Sequence, residues 1–564
     1  MTLRHLDAKL SGNAYAHEID AALPRVLAMA DCDPLSATRG VGDRSYWAWK
    51  LVDFPNATYQ GGVNGCAELL ECNMFAAGIE RRSILHRIRD SIRGLKSITR
   101  RDGSLEEAFP YERSYCVTAL IAYDVLRAHA NLSGASDARD IWRELDMVVG
   151  PLVRFLIRND ETHGLISNHL ATAVAALYRW HALTGDGRAR SKGDALMRRI
   201  LDNASDEGWF REYGGADPGY QTLCMTYLAD VLDVSPNDEL RAALHRAVSF
   251  LCHFVHPDGS FAGLYGARAT RIYYPAGIEY LASENEKAAA LAAAMRNSIS
   301  RHATVPLTAI DQPNLMPLFN AYCRALSLCN ARGESEDDFN RVRPERKEHL
   351  PAFAGRTYRR HFEGAGIVVD AGRKHYTVVS CHKGGVVFHW RDTSLALCDP
   401  GVAVSDGRGS IYTGQRHEPE NVTEFDAQAG TLRIMAKLRQ FEQPLPSPLR
   451  FIALRIMNVT VMRLSLISDL IKRGLVRLLI TGKRSSIGFV TRSITLGHDL
   501  EVTDALDTRI PVKQEFCERP FSVIHMASQG YWQRQDDGNS RLASNSDMDF
   551  QVPRHLDEKQ VATK

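Results

Sequence analysis

Residues 366–390 read GIVVDAGRKHYTVVSCHKGGVVFHW. Three short runs stand out in it: GIVVDAG (366–372), YTVVSCH (376–382) and GGVVFHW (384–390). Each is rich in β-branched or aromatic residues and bounded by Gly or charge, the pattern of successive β-strands. Upstream the texture differs. YCVTALIAYDVLRA (115–128), residues 170–183 and residues 222–232 carry apolar residues at helical spacing, and AAALAAA (288–294) is a strong helix former. The charged stretch ESEDDFNRVRPERKEH (334–349) separates the two textures. The expected organisation is therefore an α-helical domain over 1–340, an antiparallel β-sandwich over 341–553 and a polar tail over 554–564.

Turn chemistry recurs in the helical part. Asp102-Gly103-Ser104, Asp160 through Gly164, Asp206-Glu207-Gly208-Trp209 and Asp258-Gly259-Ser260-Phe261 follow one another at intervals of 46 to 58 residues. A period near 50 fits one helical hairpin per repeat, and hairpins stacked in a circle make an α/α toroid. The turns then lie on one rim, ahead of the inner helices. Helix N-termini carry unpaired N–H groups, so such a rim suits anionic or polyhydroxyl ligands.

The segments after these turns are polar and aromatic. They hold Tyr111, then Asn168 and His169, then Glu212, Tyr213, Tyr220 and Gln221, then Tyr265, Arg268, Arg271 and Tyr273. Tyr46, Trp47 and Trp49 form an earlier cluster. Aromatic faces stack on sugar rings and Arg pairs with carboxylates, so these residues read as an acidic-sugar cleft. For each aromatic taken singly, packing between helices is the competing reading.

The order of an α/α toroid followed by a β-sandwich resembles the heparinase II/III-like and alginate-lyase polysaccharide lyases. Three local matches carry the resemblance. Gly164-Leu-Ile-Ser-Asn168-His169 is similar to that family's Asn-His motif on an inner helix. Glu207-Gly208-Trp209 through Glu212-Tyr213, then Pro218-Gly219-Tyr220, is similar to its segment bearing the catalytic Tyr. Arg492-Ser-Ile through Val502-Thr-Asp504 is similar to a late pair of strands. Two departures stand beside them. Tyr220 is followed by Gln221 rather than His, and the β-domain stretch around Cys381, His382 and His389 lacks one of the family's histidines.

The resemblance implies β-elimination on a uronic acid. Asn168 would neutralise the carboxylate with His169 beside it, Tyr220 would carry a proton, and His382 or His389 would be a second proton carrier. Such chemistry needs hydrogen bonds or cations on the carboxylate, because the C5 proton is otherwise not acidic. A uronate C5-epimerase needs the same proton abstraction. A toroid glycoside hydrolase needs two carboxylates flanking the bond, with Glu106, Glu107, Glu212, Asp217 and Asp258 as candidates. A non-catalytic glycan-binding protein is the fourth reading.

Composition bounds partners. The 564 residues carry 69 Lys+Arg against 67 Asp+Glu, a net charge of +2, so no electrostatic footprint for nucleic acid exists. The expected partner is an acidic polysaccharide or oligosaccharide, with oligomeric state left open. No cofactor is expected. Cys381, His382 and His389 are competent ligands for a structural metal ion in the β domain, but their spacing matches no closed zinc pattern. The N-terminal stretch lacks the apolar core of a secretory signal, so a cytoplasmic location is expected. Residues 449–484 interrupt the strand pattern. Apolar residues at 464, 467, 471, 475, 478 and 479 share a helical face beside many cations, so 461–484 is a candidate for peripheral contact with an anionic membrane.

Overall fold

The structure is a computed structural model describing residues 13–74, 79–162, 164–333, 343–441, 447–464, 467–468, 470–471, 474, 484–515 and 521–523. The tail expected at 554–564, most of the 334–349 stretch and positions 475, 478 and 479 lie outside the described residues.

The helical part runs from α1 (Ala14–Ala28) through α2 (Arg44–Trp47), α3 (Val63–Cys72), α4 (Arg81–Ile98), α5 (Tyr115–Leu132), α6 (Leu145–Arg158) and α7 (Ser167–Thr184). It continues with α8 (Gly187–Leu201), α9 (Pro218–Val234), α10 (Asp238–Leu251), α11 (Ala276–Leu281), α12 (Glu286–Ser300) and α13 (Gln312–Arg332). Two kinds of helix alternate. In α5, α7 and α9 buried residues occupy most positions, on all sides of the helix. In α4, α8 and α10 only one stripe is buried, as in an outer helix resting on an inner one. The inner helices touch in the cyclic order α3, α5, α7, α9, α11, α13 and back to α3. That closed ring is the toroid the repeat predicts.

Sequence explains where the inner helices begin. Ser114 caps α5 by accepting from the Val117 N–H at 3.3 Å. Asp217 caps α9 by accepting from the Tyr220 N–H at 3.0 Å, and Pro218 follows at the first helical position. The Asp-Gly turns ahead of them repeat in detail. Asp102 Oδ1 accepts from the Ser104 N–H and hydroxyl at 3.0 and 2.6 Å, and Asp258 Oδ1 does the same for Ser260 at 2.9 and 2.7 Å. Gly103, Gly208 and Gly259 have φ of 87°, 96° and 88°, the left-handed region that favours glycine.

Among the described residues the sheet part holds twelve strands in two antiparallel sheets. The first is a meander: β1 (Tyr358–Phe362), β2 (Ile367–Ala371), β3 (His375–Ser380), β4 (Val386–Arg391) and β5 (Ser394–Asp399). The second has the order β11-β10-β9-β7-β6-β12, with β8 also pairing β9. Its strands are β6 (Ala403–Asp406), β7 (Ile411–Thr413), β8 (Val422–Asp426), β9 (Thr431–Phe441), β10 (Ser486–Thr495), β11 (Glu501–Thr508) and β12 (Val512–Glu515). A helix, α14 (Pro448–Val459), lies between β9 and β10.

The two sheets explain the two strand textures. In β9, TLRIMAKLRQF, exposed and buried positions alternate, because one face meets solvent. In β2 every residue is buried. Ile367, Val369, Tyr376, Val378, Phe388 and Trp390 join the toroid's core, while Val368, Val379 and Val387 pack with Leu432, Ile434 and Ile494 of the second sheet. The first sheet is sandwiched on both faces, so its sequence reads as unbroken apolar runs.

Arg492 and Asp504, which the sequence reading places on a late pair of strands, face each other across β10 and β11. Arg492 donates to both Asp504 oxygens at 2.8 and 2.7 Å and to the Gly385 carbonyl at 2.9 Å, and Asp399 lies 3.2 Å away. All three side chains are buried. No helix among the described residues is long and apolar enough to cross a membrane.

Candidate active site

The first sheet docks on the rim where the inner helices begin. Trp390 Nε1 donates to Asp258 at 2.8 Å, the Tyr376 hydroxyl donates to the His253 carbonyl at 2.6 Å, and the Gly364 and Ala365 N–H groups donate to Glu207 at 2.9 and 3.0 Å. Lys383, at the β3–β4 turn, sends its ammonium into the toroid, donating to the carbonyls of Leu264 and, at 3.3 Å, Gly266. Burial lowers its pKa to about 8, against the opposing pull of Asp217.

Beside this seam the α7 and α9 approaches are stitched together. The Ser167 N–H donates to the Arg211 carbonyl at 3.0 Å and the Tyr213 N–H to the Leu165 carbonyl at 2.9 Å. Asn168 and His169 therefore occupy the first turn of α7, opposite Glu212 and Tyr213. Glu212 is buried, and its Oε1 accepts from the Asn168 N–H at 3.0 Å while Oε2 accepts from the Asn168 amide at 2.7 Å. Burial raises the Glu212 carboxyl to about 8, with Asp217 adding and the two Asn168 donors opposing. An Asn amide has a second N–H and a carbonyl oxygen, so Asn168 keeps bonding capacity for a ligand.

His169 Nδ1 lies 2.8 Å from Glu161 Oε2, and the Glu161 side chain is fully buried. A carboxylate on Nδ1 fixes the tautomer and leaves Nε2 as the basic nitrogen. The Arg268 guanidinium stands 4.0 Å over the Tyr213 ring. Burial pushes the Tyr213 phenol up to about 12, and Arg268 opposes it. Arg268 is held from behind, its backbone N–H donating to Asp217 Oδ2 at 2.8 Å.

The β domain adds a histidine that the sequence did not single out. The His417 ring packs on Gly215, where a Cβ would stand 2.4 Å from Nε2, so only glycine fits. The rings of His417 and His382 meet edge to face at 5.3 Å. Burial lowers His417 to about 3, with His382 and Lys383 adding, so it stays neutral near neutral pH.

Tyr220 is half-buried in the first turn of α9, its N–H donating to Asp217 at 3.0 Å. Other candidates separate. His389 does not join His382. It shares the β4 face of Val387, between the two sheets, with Nδ1 2.8 Å from the Thr377 hydroxyl and its ring 6.2 Å from His375. Strand alternation turns it away from the toroid. Tyr265 and Tyr273 are core residues rather than sugar platforms. The Tyr265 hydroxyl lies 2.8 Å from His256 Nε2, and the Tyr273 ring packs on Phe261 at 5.2 Å. Arg271 is half-buried near His256.

Tyr111 lies between two guanidiniums, Arg100 at 4.2 Å and Arg463 at 4.9 Å. Trp47 donates through Nε1 to the Met29 carbonyl at 2.9 Å, Tyr46 is half-buried, and Trp49 is exposed. Of the carboxylates a hydrolase would use, Glu106 accepts from Arg100 at 2.7 Å and from the Tyr111 N–H at 2.5 Å, while Asp217 and Asp258 are engaged as described. Glu107 accepts from the Ser114 hydroxyl at 3.1 Å. Among the described residues no group of three or more His, Cys, Asp or Glu side chains is arranged to hold a metal ion.

No known family's sequence profile matches the chain, and no curated protein sequence does. Solved structures do. One is chondroitin AC lyase from Streptomyces coelicolor A3, solved with chondroitin sulphate, at 12% identity and a TM-score of 0.47, covering 78% of this chain and 68% of that one. Another is heparinase III, at 8% identity and a TM-score of 0.40, covering 87% and 76%. A third is an endoglucanase from Clostridium thermocellum, at 12% identity and a TM-score of 0.29, covering 76% and 78%. The solved structures the chain is similar to thus include a chondroitin lyase, a heparinase and an endoglucanase.

Proposed function

We propose that the chain is a polysaccharide lyase that cleaves a uronate-containing glycan by β-elimination at the toroid rim. The observation that carries this reading is the pairing of Asn168 with a buried Glu212 whose carboxyl titrates near 8. A neutral acid and an amide side by side accept a substrate carboxylate without charge repulsion. The Arg268 guanidinium nearby adds positive charge, and together they stabilise the enolate-like state formed when C5 loses its proton.

His169 Nε2, oriented by Glu161, takes the C5 proton. The C5–H electron pair becomes the C4–C5 double bond as the C4–O bond breaks. The Tyr213 hydroxyl protonates the departing oxygen, and the proton on His169 returns to the phenolate through solvent. Tyr213 is preferred because it stands beside Asn168 and beneath Arg268. The neutral pair His417 and His382 walls the cleft from the β-domain side. A hydrolase is disfavoured because three of its candidate carboxylates, Glu106, Asp217 and Asp258, are engaged in an ion pair and in capping turns.

The test is ultraviolet absorbance of the conjugated unsaturated product over a panel of uronate polymers and oligosaccharides. A rise abolished by Asn168→Ala and by Tyr213→Phe is expected. No rise on any substrate, with solvent deuterium entering at C5, would replace elimination by epimerisation.

A further inference from the structure

The segment between β9 and β10 is unlike the rest of the surface. Helix α14 is capped by Ser447, whose hydroxyl accepts from the Arg450 N–H at 3.3 Å, and Asn458 is its one buried residue. Leu449, Ile452 and Ile456, at i, i+3 and i+7, form one exposed stripe, and Phe451 is exposed beside them. Leu464 and Leu470 continue it, 60% and 73% exposed. Large apolar side chains scattered singly need no explanation, but a contiguous set marks an interaction surface.

The toroid contributes to the same patch. Arg455 pairs with Asp53 and lies 5.8 Å over the Phe54 ring, which brings α14 against the loop carrying Trp49 and Leu51. Trp49 and Leu51 are 66% and 78% exposed. Arg463 donates to the Tyr111 hydroxyl at 2.9 Å, so the segment also reaches the toroid rim ahead of α5.

Charge selects the occupant. From 447 to 484 the sequence holds eight Lys or Arg against the single acid Asp469, so the rest of the chain is net negative. A polyanionic sugar would satisfy the cations but not the exposed Leu, Ile, Phe and Trp. Exposed aliphatic and Trp side chains on a surface that also carries Arg450, Arg455 and Arg463 match a bilayer interface, where apolar groups enter the acyl boundary and cations meet phosphates. We propose that α14 and the Trp49–Leu51 loop form a docking surface for an anionic lipid membrane, holding this side of the toroid rim close to the bilayer.

The experiment is co-sedimentation of the full chain with phosphatidylcholine vesicles, with and without phosphatidylglycerol, alongside the double variant Ile452→Glu/Ile456→Glu. At least tenfold more binding to the anionic vesicles is expected, lost in the double variant. A blue shift of fluorescence with anionic vesicles, reduced in Trp49→Phe, reports insertion. The double variant should keep the wild-type circular dichroism and its activity on soluble oligosaccharide. Absence of binding at low salt overturns the proposal, as does binding that the double variant retains. A concentration-dependent dimer in sedimentation velocity that the double variant abolishes would assign the face to a second copy instead. Apart from the activity control, none of these readouts depends on the lyase reading.

Discussion

The Asn168 amide donates to Glu212 Oε2 at 2.7 Å, and the Asn168 N–H donates to Glu212 Oε1 at 3.0 Å. One side chain thus fixes both the start of α7 and the rotamer of its second residue. The bond spans two toroid repeats, so the geometry of the site is inherited from the packing of the ring.

Asn168→Ala removes the amide that meets the substrate carboxylate. A loss of about 10²–10³-fold in kcat is expected, the scale of deleting one oxyanion-stabilising donor. KM should change less. Steady-state kinetics on the best uronate substrate checks it.

Stability should depend on pH through Glu212. The carboxyl titrates near 8 in the fold and near its ordinary 4.5 when unfolded, so between these values the folded chain holds the extra proton. Stability therefore falls as pH rises through that window, by up to about 1.4 kcal/mol per pH unit. Glu212→Gln should flatten the decline in Tm between pH 5 and pH 8, measured by calorimetry. A slope unchanged in the variant would place the titrating group elsewhere.

Tyr213→Phe should lower kcat by about 10²–10⁴-fold, the range of general acid–base catalysis. Tyr220→Phe should cost far less, and His389→Ala should leave kcat within about threefold while lowering Tm. Comparing the three variants separates a proton carrier from neighbours on a capping turn and between sheets.

Lys383→Met keeps the aliphatic stem but leaves the Leu264 and Gly266 carbonyls without their donor. A loss of about 2–3 kcal/mol is expected for unpaired buried acceptors. Urea unfolding should show it as a lower midpoint, with the sheet part loosening from the rim first in hydrogen exchange.

Arg492→Met should destabilise by about 3–5 kcal/mol, because Asp399 and Asp504 would be left buried without their counter-charge. Adding Asp504→Asn should recover part of the loss, a non-additivity that a double-mutant cycle measures.

Much of the architecture was legible because it follows from periodicity. Asp-Gly turns recur where left-handed glycines are needed, and the texture changes where helices yield to strands. The strands carrying Arg492 and Asp504 could be read as a late pair, but the buried ion pair between the two residues shows only once β10 and β11 are in register. The site was legible only in part. Asn168 and His169 show themselves by following a turn at a helix start. Glu161 looks like a surface acid in sequence and Glu212 like a cleft carboxylate, and the two become the buried partners of His169 and Asn168 only when the repeats stack. His417 lies in Arg416-His417-Glu418, which carries no periodic pattern, and its role depends on a glycine some 200 residues earlier. Tyr265 and Tyr273 were read as cleft residues because aromatic composition does not say which side of a loop faces the core.

The toroid closes through one amide. Asn320 on α13 accepts from the Gly65 N–H at 2.9 Å, and its amide donates to the Gly61 carbonyl at 2.9 Å and to Asp124 at 3.1 Å. These contacts join positions roughly 200 to 260 residues apart in the chain. The ring cannot shut until α13 has been synthesised, and loop-closure entropy makes such long-range contacts late and slow. During synthesis an open crescent of helices leaves the ribosome first, with the edges of α3 and α11 bare. The first sheet, which docks on the finished rim, must wait for it. A newly made chain is therefore most exposed to aggregation between the emergence of α5 and that of α13, and a chaperone holding the crescent open-ended would act in that interval.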